Sequence, residues 1–292
     1  MKKINLILLF TMLICVLITS LNADAQTQVP SKEKVVRAWY RQFRRIRTLQ
    51  LNYTLNIRDI AASNNITLAY DFTFSGGKYR AVTTPTVSAA QRKKGYTTSS
   101  IGIFDGKQYA ALKVTDQTAF MNIGKKSTQL NSMGFKPLNA SVLFFDESQG
   151  DYNWILRMQK QEPWEQLVKR IQSIKAGKRN GVDGYWVELL YRGGKVTLFL
   201  NQDLYPTYKK RVTRGVSASF EIQSKKYTVE GNDFFMPTEV VTTITNAKGQ
   251  VTEIWTEKVT EPVKINQPIK NASSLFSIPR SQATAINNTD NP

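Results

Sequence analysis

The residue types that usually carry enzyme chemistry are scarce in this chain. Histidine is absent, and the single cysteine, Cys15, lies close to the N-terminus. Chemistry would therefore fall to carboxylates, which occur close together at Asp146-Glu147 and at Glu162 with Glu165. Two carboxylates held at a fixed separation across a cleft can hydrolyse a glycosidic bond. No spacing in the sequence sets up such a cleft, and Glu162 and Glu165 read as a helix start, where the helix dipole favours negative charge. There is no Asp-x-Asp-x-Asp loop and no His/Cys set for a metal. The sequence predicts no catalytic residue, no metal and no cofactor, which favours a binding role over a catalytic one.

The elements that could build a binding site begin after an export signal. Lys2 and Lys3, the apolar run Ile4 to Ile18 and the small residues Ala23-Asp24-Ala25 have the pattern of a cleaved secretory peptide over residues 1–25. The mature chain would start at Gln26. The formal charge is +18, and losing Lys2, Lys3 and Asp24 with the signal leaves +17. Cys15 sits mid-run behind the bulky Ile14, which does not suit lipoprotein processing, so disulfides and a lipid anchor are both unexpected. No later apolar run approaches the roughly 20 residues that span a bilayer. The basic residues are dispersed in short groups: Arg44-Arg45, Arg92-Lys93-Lys94, Lys125-Lys126, Lys209-Lys210-Arg211 and Lys225-Lys226. Such a spread suits an anionic membrane surface or an acidic polysaccharide, or is simply a solvated surface; export argues against nucleic acid. A monomeric periplasmic protein is expected.

Ser31 to Arg47 reads as an amphipathic helix, with Val35, Val36, Trp39, Tyr40, Phe43 and Ile46 on one face and basic residues on the other. Strands follow. Leu49, Leu51, Tyr53, Leu55 and Ile57 alternate with polar residues. Further strands are predicted at Ile66 to Phe74 and Lys78 to Thr84, then at Ile101 to Phe104 and Lys107 to Val114 around the Asp105-Gly106 turn. A helix opens at Pro163, carries Trp164, Leu167, Val168, Ile171 and Ile174 on one face, and closes at Gly177. Strands then resume at Tyr185 to Tyr191, Val196 to Leu200, Thr207 to Thr213, Ser217 to Tyr227, Thr238 to Thr245 and Val251 to Thr260. Several are apolar on both faces: Val187, Leu189 and Tyr191 alternate with Trp186 and Leu190. Such a sheet needs cover on both sides, or a ligand as part of it. Residues 280–292 read as a flexible polar tail.

This order of elements resembles the LolA/LolB-like periplasmic lipoprotein-carrier family. Thr48-Leu49-Gln50-Leu51-Asn52-Tyr53 is similar to that family's opening strand, and Phe74-Ser75-Gly76-Gly77-Lys78-Tyr79-Arg80 to its glycine-lysine-aromatic-arginine strand pair. Phe104-Asp105-Gly106-Lys107-Gln108-Tyr109 resembles its Asp-Gly-Lys hairpin. Pro137 with Val142-Leu143 resembles the start of its lid helix, and Leu275-Phe276-Ser277-Ile278-Pro279 its closing strand. The resemblance implies a mainly β fold with α, a curved antiparallel sheet forming an incomplete barrel closed by helices. It would be one domain over 26–279 with a helical insertion at about 135–176. The carrier proper has an Arg-Pro pair before the glycine-lysine turn; this chain has Phe74-Ser75-Gly76 there, so the hand-off of lipoproteins does not follow from the resemblance.

On this reading the concave face takes lipid, or the acyl chains of lipoproteins, in an apolar cavity, since burying apolar area is favourable at roughly 25 cal/mol per Å² and needs little polar chemistry. The candidate cavity residues are Trp39 and Phe43 of the first helix, Tyr53 and Leu55 of the first strand, and Leu143 and Phe144 of the lid. The alternative is an ordinary filled core, with the basic loops binding an envelope partner or polysaccharide.

Overall fold

Period-two alternation organises most of the chain. The computed structural model describes residues 28–125, 162–191 and 194–290; the expected signal peptide and most of the expected insertion lie outside them. The first helix, α1 (Lys32–Arg44), follows Ser31, whose Oγ accepts the Lys34 amide at 3.1 Å. A meander comes next: β1 (Thr48–Asp59), β2 (Asn64–Ser75), β3 (Lys78–Pro85), the short α2 (Ala89–Lys93), β4 (Ser99–Phe104), β5 (Tyr109–Val114) and β6 (Ala119–Gly124). Helix α3 (Glu162–Arg170) leads into a second meander. Its strands are β7 (Ile171–Arg179), β8 (Val182–Tyr191), β9 (Gly194–Leu200), β10 (Pro206–Thr213), β11 (Val216–Val229), β12 (Asn232–Thr245) and β13 (Val251–Ile265). One turn of helix, α4 (Ala272–Leu275), a 3-10 turn at Arg280–Gln282 and β14 (Ala285–Asn288) follow.

All the strands join one 14-stranded sheet, in the order β14-β6-β5-β4-β3-β2-β1-β13-β12-β11-β10-β9-β8-β7. The two meanders meet where β1 pairs antiparallel with β13, Leu49 opposite Ile265 and Tyr53 opposite Val259. The end strands β14 and β7 do not pair with each other, so the sheet is an incomplete barrel, mainly β with few helices. One buried cluster contains Leu49 to Leu55 of β1 together with Val187 of β8 and Leu198 of β9. Six strand spacings, about 29 Å along the sheet, separate β1 from β8. Residues of α1 (Val35, Trp39) and α3 (Trp164, Leu167) share that cluster. The sheet therefore wraps round the two helices, and the face that carries them is its concave one.

Two stretches depart from the sequence reading. The predicted helix through Ile174 to Gly177 ends at Arg170, and Ile171–Arg179 is β7. A register shift between Ile171 and Ser173 inserts one extra residue, so Ile171 and Ile174 face Leu189 and Val187 on the same side. A bulged strand thereby reproduces the three-residue spacing of a helix. Residues 280–290, read as a flexible tail, are built into the sheet: β14 pairs in parallel with β6, Ala285 opposite Phe120 and Ile286 opposite Met121. Thr284 anchors the strand, its amide donating to the Ala119 carbonyl at 2.7 Å and its Oγ1 accepting the Ala119 amide at 3.0 Å.

The convex face is also covered in places, which accounts for the strands that are apolar on both sides. Behind β5 and β6, Leu112, Met121 and Ile123 pack with Ile278 and Ala283 of the C-terminal segment. Behind β8 to β10, Trp186, Phe199 and Tyr208 contact one another, and the Arg179 guanidinium lies 4.1 Å above the Tyr208 ring. Gly184 permits this packing, because a Cβ there would meet the Leu200 carbonyl oxygen at 2.1 Å and the Phe199 ring at 2.7 Å.

Candidate functional site

Strand register lays the concave face out in rows. From β10 to β1 the outermost of these rows is Arg211, Ala218, Ile244, Glu253 and Asp59, all partly exposed, and on β9 it runs into the buried Val196. The second is Leu198, Lys209, Phe220, Thr242, Trp255 and Ile57. The third is Ile222, Val240, Glu257, Leu55 and Leu68, and the fourth is Val259, Tyr53, Tyr70, Thr83 and Ser100. Exposure falls inward, and apolar side chains dominate the second and third rows.

Helix α1 is fixed on this face by polar side chains that reach backbone. The Trp39 indole N–H donates to the Leu204 carbonyl at 2.6 Å. Gln42 acts as a substitute strand: its Nε2 donates to the Phe235 carbonyl at 2.6 Å, and its Oε1 accepts the Phe235 amide at 3.3 Å. Phe235 needs that partner because β12 pairs with β13 only from Glu239 onward. The Tyr205 hydroxyl donates to the same carbonyl, and burial raises its pKa above the usual phenol range. Asn266 ties the corner between α1 and β1, its Oδ1 accepting the Arg47 amide at 2.7 Å and its Nδ2 donating to the Arg45 carbonyl at 2.9 Å.

Polar groups are nonetheless set into this apolar face. Lys209 is 1% exposed and Glu257 5%. Burial pushes the Lys209 amine down to about 7. The hydroxyls of Tyr70, Thr83 and Thr242 are buried and make no hydrogen bond. The Tyr70 ring stacks on Tyr53 with centroids 4.4 Å apart, and its phenol is raised above the ordinary range, first by burial and then by the Glu257 carboxylate. Buried polar groups are normally partnered, so these hydroxyls mark places where a ligand could supply a partner. Among the described residues, no cluster of three or more His, Cys, Asp or Glu side chains offers a metal site, and no helix is long and apolar enough to cross a membrane.

Of the residues singled out from the sequence, Trp39, Tyr53 and Leu55 are brought into the one buried cluster. The backbone of Phe43 lies in α1, but its side chain falls outside the described residues, as do Leu143 and Phe144. The sequence reading missed Lys209, grouped there with Lys210 and Arg211 as a surface cluster. The signal was available: on a strand Lys209 and Lys210 must leave on opposite faces. Glu257, Tyr70 and Thr242 were missed because strand-borne polar residues are assigned to the wet face by default.

No protein-family model and no curated protein matches the chain. Among solved structures it is similar to a LolA superfamily protein of Nitrosomonas europaea, at 12% identity and a TM-score of 0.46, covering 85% of this chain and 98% of that one. It is also similar to a domain assigned as an outer membrane lipoprotein-sorting protein of Vibrio parahaemolyticus, at 10% identity and a TM-score of 0.46, covering 85% and 100%. At these identities and TM-scores neither a role nor a ligand follows for this chain from the likeness.

Proposed function

We propose that this chain is an exported, non-enzymatic carrier of the bacterial envelope that holds an acyl lipid, free or attached to a lipoprotein, on the concave face of its open sheet. The observation that carries this reading is the extent of that face. Fourteen strands make an arc of about 62 Å, whereas a helix is only ~10 Å across. Among the described residues α1 and α3 are the helices set on it, with 13 and 9 residues. An acyl chain suits the apolar rows of this face, since each buried methylene is worth about 0.8 kcal/mol without any directional contact. Trp39, Phe43, Tyr53, Leu55, Leu143 and Phe144 are the proposed lining, and the exposed basic groups at Arg44-Arg45 and Arg92-Lys93-Lys94 would draw the protein to an anionic membrane.

The test is lipid extraction and mass spectrometry of protein purified without detergent, followed by titration with a fluorescent fatty acid. The expected result is about one co-purifying lipid or acylated peptide per chain, or saturable uptake near that ratio, as a single cavity requires. A stable protein that carries no lipid and takes up none would overturn the reading, and the basic loops would become the place to seek a partner.

A further inference from the structure

Rows of different character cross the concave face between β2 and β5. In register with one another stand Tyr70, Thr83, Ser100 and Lys113, so three hydroxyls and an amine line up across three strand spacings, about 14 Å. Tyr70, Thr83 and Ser100 are buried, and the row reaches water at the exposed Lys113. The next row holds Phe72 and then the small residues Ala81, Gly102 and Ala111. Beyond it is an aromatic row of Phe74, Tyr79, Phe104 and Tyr109, in which the Phe104 and Tyr109 rings stack with centroids 4.4 Å apart. On the other side of the hydroxyl row, Leu68 and Pro85 are apolar. One polar row thus runs between apolar ones, beside a band where the side chains rise least from the sheet. Among the described residues the Tyr70 and Thr83 hydroxyls, directly opposite each other on neighbouring strands, meet no hydrogen-bond partner. Leaving a buried polar group in that state costs about 1 to 3 kcal/mol, so such pairs are rare.

We infer that the acyl cargo is held through the carbonyl of its ester or amide linkage, which accepts hydrogen bonds from the Tyr70 and Thr83 hydroxyls while the chain lies along the band of Ala81, Gly102 and Ala111. This rests on the carrier reading above and adds the chemical class of the group that is recognised. Each hydroxyl has a proton to donate, and a carbonyl oxygen has two lone pairs to receive them. An anionic head is the poorer match at this place. The Glu257 carboxylate stands one row away on β13. Burial first, and that carboxylate second, hold the Tyr70 phenol above its ordinary range, so the hydroxyl keeps its proton and a further negative charge beside it would be repelled. A bare hydrocarbon would leave both hydroxyls unmatched.

The experiment titrates the methyl ester and the N-methylamide of cis-parinaric acid, and the polyene hydrocarbon that lacks their carbonyl, into wild type and into the double variant Tyr70→Phe with Thr83→Val. The variant is expected to bind the ester or the amide about fivefold more weakly than wild type does, the value of one hydrogen bond. Its affinity for the hydrocarbon should be unchanged, which also shows that it is folded. Without ligand its urea midpoint should be no lower than that of wild type, because neither hydroxyl gives up a hydrogen bond in the fold. The probe that loses more names the linkage, ester or amide, and either result upholds the inference. Unchanged binding of ester and amide by the variant, an equal loss for all three probes, or a variant less stable by the worth of a hydrogen bond overturns the inference while leaving the carrier reading in place. Binding of no probe by wild type removes both.

Discussion

Along β10 the side chains of Lys209 and Lys210 leave the sheet in opposite directions, and only Lys210 reaches water. Burial lowers the Lys209 amine from 10.5 to about 7. The folded chain therefore binds fewer protons than the unfolded chain between those two values. Stability from this residue rises with pH across that window, by about 1.4 kcal/mol per pH unit, and its cost is at its fullest below pH 7. The cross-strand neighbours of Lys209, Leu198 and Phe220, are both apolar. In lipid-free protein Lys209→Met should be more stable than wild type at pH 7, and the gap in urea-unfolding free energy should narrow steadily towards pH 9. A gap constant with pH would mean that the lysine is charged in the fold and matched within it. Residue types made the absence of histidine plain from the start. They could not show which lysine of a basic run is turned inward, because that depends on which face of β10 is the concave one.

At the scale of elements, the seating of α1 depends on a gap in the sheet. β12 runs beside β13 only from Glu239, which leaves the Phe235 backbone to Gln42. Gln42→Leu keeps the side-chain volume but removes both bonds, leaving a buried N–H without its acceptor and a carbonyl with only Tyr205. A loss of about 2 kcal/mol in urea unfolding is expected, the cost of an unsatisfied buried backbone group. A change below 0.5 kcal/mol, the usual size for a neutral surface substitution, would show that α1 is held by its apolar face alone. Most elements were legible because alternation is a local property: Leu49 to Ile57, Ile66 to Phe74 and the Asp105-Gly106 turn all appear where the sequence puts them. Asp105 Oδ1 accepts the Lys107 and Gln108 amides at 2.7 and 2.8 Å, the mechanism behind that turn signal. β7 was misread for an equally local reason. The extra residue at Gln172 brings Ile171 and Ile174 to one face, a spacing that a helix and a bulged strand share.

The whole molecule rests on pairings that no local pattern announces. β1 and β13 are about 200 residues apart in sequence, yet their contact converts two separate meanders into one open half-barrel. The order of elements made the fold class readable by resemblance, while the register that aligns Lys209 with Thr242, and Glu257 with Leu55, comes only from the assembled sheet. β14 is the extreme case: Ala285–Asn288 is exposed and polar at two of its four positions, with nothing in its pattern to mark a strand. Its place is set from outside, by the free edge of β6 and by Thr284, Thr289 and Asp290, which bond Ala119, Ile123 and the Lys125 amide. An uncovered sheet edge is a template for pairing with another chain. Deleting residues 280–292 removes those bonds, the Ala283 contact behind Met121 and the Arg280 bond to Gln108, at about 1 kcal/mol per net hydrogen bond before the chain entropy that is regained. The truncated protein should unfold at lower urea by a net loss of about 2 kcal/mol, and sedimentation should show concentration-dependent association through the bared β6 edge. Lipid uptake on the opposite, concave face should be unchanged. A truncated chain as stable and as monomeric as the full one would mean that the segment is a passive strand, and that the short β6 needs no cover.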